Sequence, residues 1–286
     1  MKVIFNNPVL FKELKLRFRS PKSFNGILFY LLAICLFVFG FIFMTTSSMG
    51  TSYFRPSESY ILFTLLSFIQ LGLVLFITPG LTAGAISSER EKQTLSILLT
   101  TSQSSFQIIT GKLFSSIAFL VLLIVAGLPV YSLVFLFGGI SPMDFAKVFL
   151  FLFVTVLAIG SVGIMFSTLI RRTIVSMIVT YGTMLFLSVV TGFLFLLMRQ
   201  MTMFGSFTGT GMTTPSPSIV SHILASVNPA MLFASFTSPG IAGAILEVTQ
   251  VKFPIWIGYL IFYILLTVLS LFIAIKRLRV NMKRSK

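Results

Sequence analysis

The chain has 286 residues, 56% of them apolar and 9% charged, with 21 Lys/Arg against 6 Asp/Glu and a net charge of +15. A soluble domain carries roughly a quarter charged residues, and one soluble core could not hide this much apolar surface, so a soluble enzyme is excluded. A bilayer accommodates it in helical blocks of about 20 residues. A nucleic-acid role for the positive charge needs a grooved, aromatic-interleaved basic domain, and the chain leaves no room for one.

Residues 7–23 read as an amphipathic elbow helix lying in the headgroup plane. Asn7 suits the cap and Pro8 the first helical position, while Leu10, Phe11, Leu14 and Phe18 share a face opposite Lys12, Glu13, Lys15 and Arg19. Charge-free apolar runs follow at 24–44, 60–79, 113–137, 148–170, 173–198 and 255–275, each long enough to cross a bilayer as a helix. The expected fold is an all-α polytopic membrane protein, one transmembrane domain over 1–286. The first run is too long for a secretory signal and lacks a small-residue cleavage pattern, so it is expected to stay as a span. The single cysteine, Cys35, lies in it and is read as packing.

Pro79-Gly80 should kink or end span 2, and Pro129 should bend span 3. Arg171-Arg172 is nearly all that separates spans 4 and 5, which must then be antiparallel neighbours, with Gly163 and Ser167 spaced to let helices approach closely. The segment 199–254 starts as a Gly/Ser/Thr/Pro-rich loop and turns apolar from Ile219. Asn228-Pro229 is a cap followed by a first-turn proline, so short helices at the outer leaflet are expected there. His222 reads as a loop residue.

Seventeen of the 21 cations fall in the N-terminal arm, in the segment between spans 2 and 3, in the Arg171-Arg172 turn and in the C-terminal tail. Only Arg55, Lys147, Arg199 and Lys252 fall on the opposite face. By the positive-inside rule both termini are cytoplasmic. No acid or base sits within the six runs, which argues against a carrier driven by an ion gradient. One histidine without metal or triad spacing argues against a membrane hydrolase or metalloenzyme. Gly111-Lys112 lacks the remainder of a phosphate-binding loop, so the chain is read as a non-enzyme without its own cofactor, and any ATP is bound by another chain.

The most informative stretch is 87–112, SSEREKQTLSILLTTSQSSFQIITGK. Ser88 and Glu91 have capping-box spacing, Glu89 and Glu91 favour a helix start, and Leu95, Leu98 and Leu99 form a short apolar stripe. On these residues alone, the helix either docks on a partner or is a connector whose stripe lies against lipid.

Glu89-Arg90-Glu91, Thr94-Leu95, Leu98-Leu99 and Gly111-Lys112 occur in the order found in permease subunits of type-2 ATP-binding-cassette (ABC) exporters, which the chain resembles. Gln93 stands where that family commonly has glycine, and the proline often found after the leucine run is missing. The resemblance implies the type V exporter fold: the elbow, six spans, and short outer-leaflet helices between spans 5 and 6. It also implies two cytoplasmic ABC ATPase subunits that bind ATP and Mg, and a second permease chain, identical or homologous. Coupling to the ATPase falls to Ser88, Glu89, Arg90, Glu91, Thr94, Leu95, Leu98, Leu99, Arg171 and Arg172. Tyr60, Thr64 and Ser67 on span 2 and Ser176, Thr180 and Thr183 on span 5 are candidates for a cargo path, although such hydroxyls commonly bond their own helix. The expected function is ATP-driven export of an amphipathic cargo, a peptide, antibiotic or lipid-linked molecule, across a prokaryotic cell membrane. The alternative is a non-transporting membrane scaffold or regulatory subunit of an ATPase complex.

Overall fold

The structure, a computed structural model, describes residues 8–19, 21–49, 56–96, 103–136, 138, 140–208, 218–251 and 253–283. No strand occurs among the described residues. The segment read as the elbow forms helix α1 (Pro8–Phe18). It is shorter than the 7–23 read from sequence, because Pro21 opens the next helix, α2 (Pro21–Met49), and Lys22 and Ser23 begin that one. Asn7 lies outside the described residues.

Six stretches are long and apolar enough to cross a bilayer: Phe24–Ser47, Glu58–Glu91, Ser105–Phe135, Pro142–Leu169, Thr173–Met201 and Ile255–Leu278. They carry spans 1 to 6 in α2, α3 (Pro56–Thr82), α5 (Ser105–Leu136), α6 (Pro142–Leu169), α7 (Thr173–Leu185) with α8 (Thr191–Thr208), and α12 (Ile255–Lys283). The helices overrun the charge-free runs at several ends, so Glu58, Lys112, Asp144 and Arg199 sit on helices rather than in loops. Pro79 does not end span 2, since α3 continues to Thr82. The Tyr181 hydroxyl of span 5 donates to the Phe76 carbonyl at 2.8 Å, beside the turn that the proline disrupts.

Lipid tails are as apolar as leucine, so close packing and polar contacts hold such a bundle together. Span 4 is the pillar, with 67% of its most apolar stretch buried, against 17% for span 1 and 22% for spans 5 and 6. Two polar contacts fasten span 6 to it: Thr155 Oγ1 with Tyr259 Oη at 2.6 Å, and Ser270 Oγ donating to Ser161 Oγ at 2.7 Å. Tyr30 of span 1 donates to Gln70 Oε1 of span 2 at 2.5 Å. Cys35 packs half-buried against the core, as expected.

Span 5 is broken by a π-turn at Phe186–Val190 between α7 (Thr173–Leu185) and α8 (Thr191–Thr208). After it come three short helices, α9 (Ile219–Val227), α10 (Pro229–Thr237) and α11 (Pro239–Thr249). The first two meet at 89°. Asn228 makes this elbow as its spacing implied: Oδ1 accepts from Met231 N at 3.0 Å and Pro229 is the first helical residue. Its Nδ2 donates to Ser188 O at 2.6 Å and to Thr191 Oγ1 at 3.0 Å. Ser188 lies in the π-turn, whose altered backbone pairing leaves carbonyls to be satisfied from outside. Gly192 makes room, since a Cβ there would lie 2.9 Å from Asn228 Nδ2. His222 is no loop residue: it lies in α9, buried, with its ring edge-on to Phe253.

Candidate functional site

Span 2 runs into the segment 83–96, and the Glu-Arg-Glu run falls in α4 (Ser87–Glu91). The predicted capping box does not form. The helix starts at Ser87 after a turn that carries straight on from span 2, so Ser88 is already inside it and its hydroxyl donates back to Gly84 O at 2.5 Å. The donors freed at this break go to span 4, where Ser167 Oγ accepts from Ile86 N at 2.8 Å and from Ser87 N at 2.9 Å. Gly163, one turn earlier, has no room for a side chain, because a Cβ would lie 2.1 Å from Thr82 Oγ1. The small-residue stripe of span 4 therefore receives the end of span 2, whereas the sequence placed it against span 5.

Each member of Glu89-Arg90-Glu91 reaches a different element. Glu89 Oε1 accepts from Lys112 Nζ at 2.7 Å, and the same ammonium donates to Glu13 Oε1 of the elbow at 2.7 Å. Ser115 Oγ donates to the other Glu13 oxygen at 2.5 Å. The Lys112 side chain is only 4% exposed, so two carboxylates compensate a charge that would otherwise be costly to bury. Arg90 donates to Thr168 O at 3.0 Å and Ile170 O at 3.4 Å, at the end of span 4. Its guanidinium thus caps the helix end where the dipole is negative.

Glu91 accepts from Thr173 N at 2.8 Å and from Thr173 Oγ1 at 2.7 Å. Thr173 is the first residue of span 5, so Glu91 acts as an N-cap supplied from another helix, where the dipole favours an anion. The two Thr173 donors hold the Glu91 carboxyl below the usual carboxylate range, and Arg172 adds to the effect. Burial and the nearby Arg171 push the Arg90 guanidinium down. One tripeptide thereby ties the elbow and spans 3, 4 and 5 together at one end of the bundle.

The remaining predicted coupling residues divide. Thr94 is exposed, with its N–H donating to Glu89 O at 2.9 Å. Gln93 adopts φ +57°, the left-handed region that favours glycine, so the glycine-like turn is kept here at a cost of about 1 kcal/mol. Leu95 is buried in the core, at the point where helix resumes after the turn that follows α4. Leu98 and Leu99 lie outside the described residues. Arg171 and Arg172 are exposed at the turn that Arg90 and Glu91 bracket.

Of the cargo-path candidates, Ser67, Ser176 and Thr180 are fully buried, and Tyr60, Thr64 and Thr183 half-buried. Ser67, Thr180 and Thr183 donate to carbonyls four residues back, and Thr64 also reaches Thr237 O at 3.0 Å. The sequence reading left out Glu13, Ser115, Ser167 and Thr173 as partners of the Glu-Arg-Glu run. Glu13 had a visible signal, being the lone acid in an arm of six cations.

Six apolar spans, an elbow tied to the bundle by a buried ion cluster, and a bent helix pair between spans 5 and 6 define a multi-pass helical membrane protein. The sequence model described as ABC-2 family transporter protein matches residues 67–279, well over half of the chain, and the chain belongs to that family. It is accordingly a transmembrane permease component of an ABC transporter, a component that works with an ATP-binding subunit. A search of curated proteins finds no match.

Proposed function

We propose that the chain is the permease half of an ATP-driven exporter in a prokaryotic cell membrane, with both termini in the cytoplasm and two ATP-binding subunits beneath it. The observation that carries this reading is the clamp at Glu89, Arg90 and Glu91. A push on residues 87–94 is delivered at once to the elbow, to Lys112 on span 3 and to the junction of spans 4 and 5. Energy then comes from ATP and Mg bound by the partner, and the permease supplies a lever.

The complete pathway is formed with a second permease chain, identical or homologous. Spans 1 and 5 face the partner, in keeping with the little surface that they bury within the chain. The cargo is amphipathic, a peptide, an antibiotic or a lipid-linked molecule, and passes where apolar helices meet the half-buried Tyr60, Thr64 and Thr183.

The test is to purify the chain with its partners, reconstitute the complex and measure ATP hydrolysis and cargo release. Glu91→Lys places a cation on the N-terminus of span 5 and is expected to leave a folded permease that no longer stimulates the ATP-binding subunit. Normal transport by this variant refutes the coupling assignment. A complex without an ATP-binding subunit refutes the whole reading.

A further inference from the structure

The elbow α1 has two sides with different partners. Toward the bundle, Glu13 accepts from Lys112 Nζ at 2.7 Å and from Ser115 Oγ at 2.5 Å, and the same lysine holds Glu89 of the clamp. Away from it, Phe11, Lys12, Leu14, Lys15 and Phe18 line one open groove. Residues three and four apart are neighbours on a helix, so Phe11, Leu14 and Phe18 form an apolar stripe, and Lys12, Lys15 and Arg19 form a cationic stripe beside it. Phe11 and Phe18 are 62% and 46% exposed. All three cations are exposed as well, and none makes an ion pair among the described residues. Glu13, the lone acid of the arm, is turned the other way.

We propose that this groove binds an anionic phospholipid of the adjoining leaflet, and that the bound lipid holds Glu13 on Lys112 and so keeps the clamp engaged. The site rests on α1 alone, whereas its effect on ATP hydrolysis rests on the exporter reading above. The elbow then has a ligand class and a route to the clamp, beyond a place in the headgroup plane.

The groove matches that ligand in charge, in shape and in place. Its cations meet a headgroup that keeps its net negative charge, whereas in a zwitterionic lipid the headgroup's own cation competes for the phosphate. Lysine stems lie along apolar surface while their ammonium groups stay in water, and Phe11 and Phe18 offer rings to the upper acyl chain, which is the mixture of an interfacial site. Arg19 and Ser20 alone separate α1 from α2, the helix that carries span 1, so α1 stays at the bilayer edge. Each basic residue near a membrane surface strengthens binding to anionic lipid about fivefold. Lifting the elbow carries both stripes away from the leaflet and leaves Lys112 with one carboxylate instead of two. Lipid that binds the docked elbow better than the lifted one therefore favours the docked state.

The experiment titrates short-chain phosphatidylglycerol into the detergent-purified complex, with bound lipid read by native mass spectrometry, and measures ATP hydrolysis in nanodiscs of phosphatidylcholine with and without phosphatidylglycerol. The wild-type protein should bind phosphatidylglycerol in preference to phosphatidylcholine and hydrolyse ATP faster in discs that contain it. Lys12→Gln with Lys15→Gln should weaken binding about 25-fold, two cations at about fivefold each, and abolish the gain in hydrolysis. Lys12→Arg with Lys15→Arg should keep both, which separates charge from misfolding. Lys276→Gln with Arg277→Gln, which removes two exposed cations of α12, should keep both as well. Phe11→Ser with Phe18→Ser should weaken binding although the cations remain. Glu13→Gln leaves the groove intact and should bind the lipid, yet lose most of the gain in hydrolysis. The lipid site is overturned if the glutamine pair at Lys12 and Lys15 binds like the wild type, if the pair at Lys276 and Arg277 loses as much, or if inorganic phosphate at the same concentration displaces the lipid. Binding as expected with no change in ATP hydrolysis overturns the hold on the clamp. A permease that purifies without an ATP-binding subunit defeats the exporter reading; the rise in Tm on adding the lipid, larger in the wild type than in Glu13→Gln, then still decides whether the lipid holds the clamp.

Discussion

Replacing Lys112 by methionine keeps the length of the side chain and removes its charge. In the native protein the ammonium lies 2.7 Å from a carboxylate oxygen of both Glu13 and Glu89. At an effective dielectric of about 20, a pair of charges about 4 Å apart is worth about 4 kcal/mol, and breaking a buried pair costs about 3–5 kcal/mol because the partner is left uncompensated. The Glu13 and Glu89 side chains are 25% and 28% exposed, so solvent offsets part of the loss, less at Glu89, whose Oε2 is buried without a hydrogen-bond partner, and the cost falls to about 2–3 kcal/mol. Glu13→Gln or Glu89→Gln leaves one carboxylate on the lysine and should cost about 1 kcal/mol. The combination Lys112→Met, Glu13→Gln, Glu89→Gln removes every charge in the cluster and should be more stable than Lys112→Met alone.

Thermal unfolding in detergent ranks the variants. Limited trypsin digestion localises the effect, because Lys12, Lys15 and Arg19 are exposed on the elbow and are cut faster once it detaches. The reasoning is refuted if Lys112→Met behaves like Glu13→Gln, or if the triple variant is the least stable of the set.

Gly163→Val should detach the end of span 2 from span 4, since even a Cβ meets Thr82 Oγ1 at 2.1 Å; a drop of several degrees in Tm and lost ATPase stimulation are expected, with partial recovery on adding Thr82→Ala. Glu91 has a folded-state pKa below its unfolded value, so its stabilisation is fully present above about pH 4.3 and is lost as pH falls through the lowered value. The Tm difference between wild type and Glu91→Gln should therefore be constant near neutrality and vanish in acid, as a pH series of melting curves would show. Asn228→Leu leaves Ser188 O and the Met231 N–H without their partners, a loss of about 2 kcal/mol, and faster amide exchange across the π-turn and α10 should report it.

The spans were legible because a bilayer imposes one requirement, about 20 apolar residues in a row, and each of the six runs met it. The short helices between spans 5 and 6 were legible from a chemical signal, Asn228 before Pro229, which the structure uses as a cap and first turn. What Glu89, Arg90 and Glu91 bind was not legible. Capping-box spacing concerns a helix and its own first turn, whereas Glu91 caps a helix that starts 82 residues later in the chain. Gly163 and Ser167 showed that something packs closely on span 4, but spacing within one helix does not say which neighbour fills the gap. The π-turn at Phe186–Val190 had no signal either, since its residues are as apolar as those around it and its partner Asn228 comes 40 residues after Ser188. Leu95, read as part of a docking stripe, is buried in the core, which the spacing of three leucines alone does not distinguish from an exposed stripe.

The claim at the centre is that residues 87–94 meet the ATP-binding subunit. A photo-crosslinking residue placed at Gln93, which is exposed at the left-handed turn beside the clamp, tests it most directly, with one at Ile223 on α9 as the comparison. In the assembled complex, irradiation should join position 93 to the ATP-binding subunit, and position 223 should give no such adduct. An adduct from position 223 with none from position 93 would contradict both the coupling role and the sidedness on which it depends.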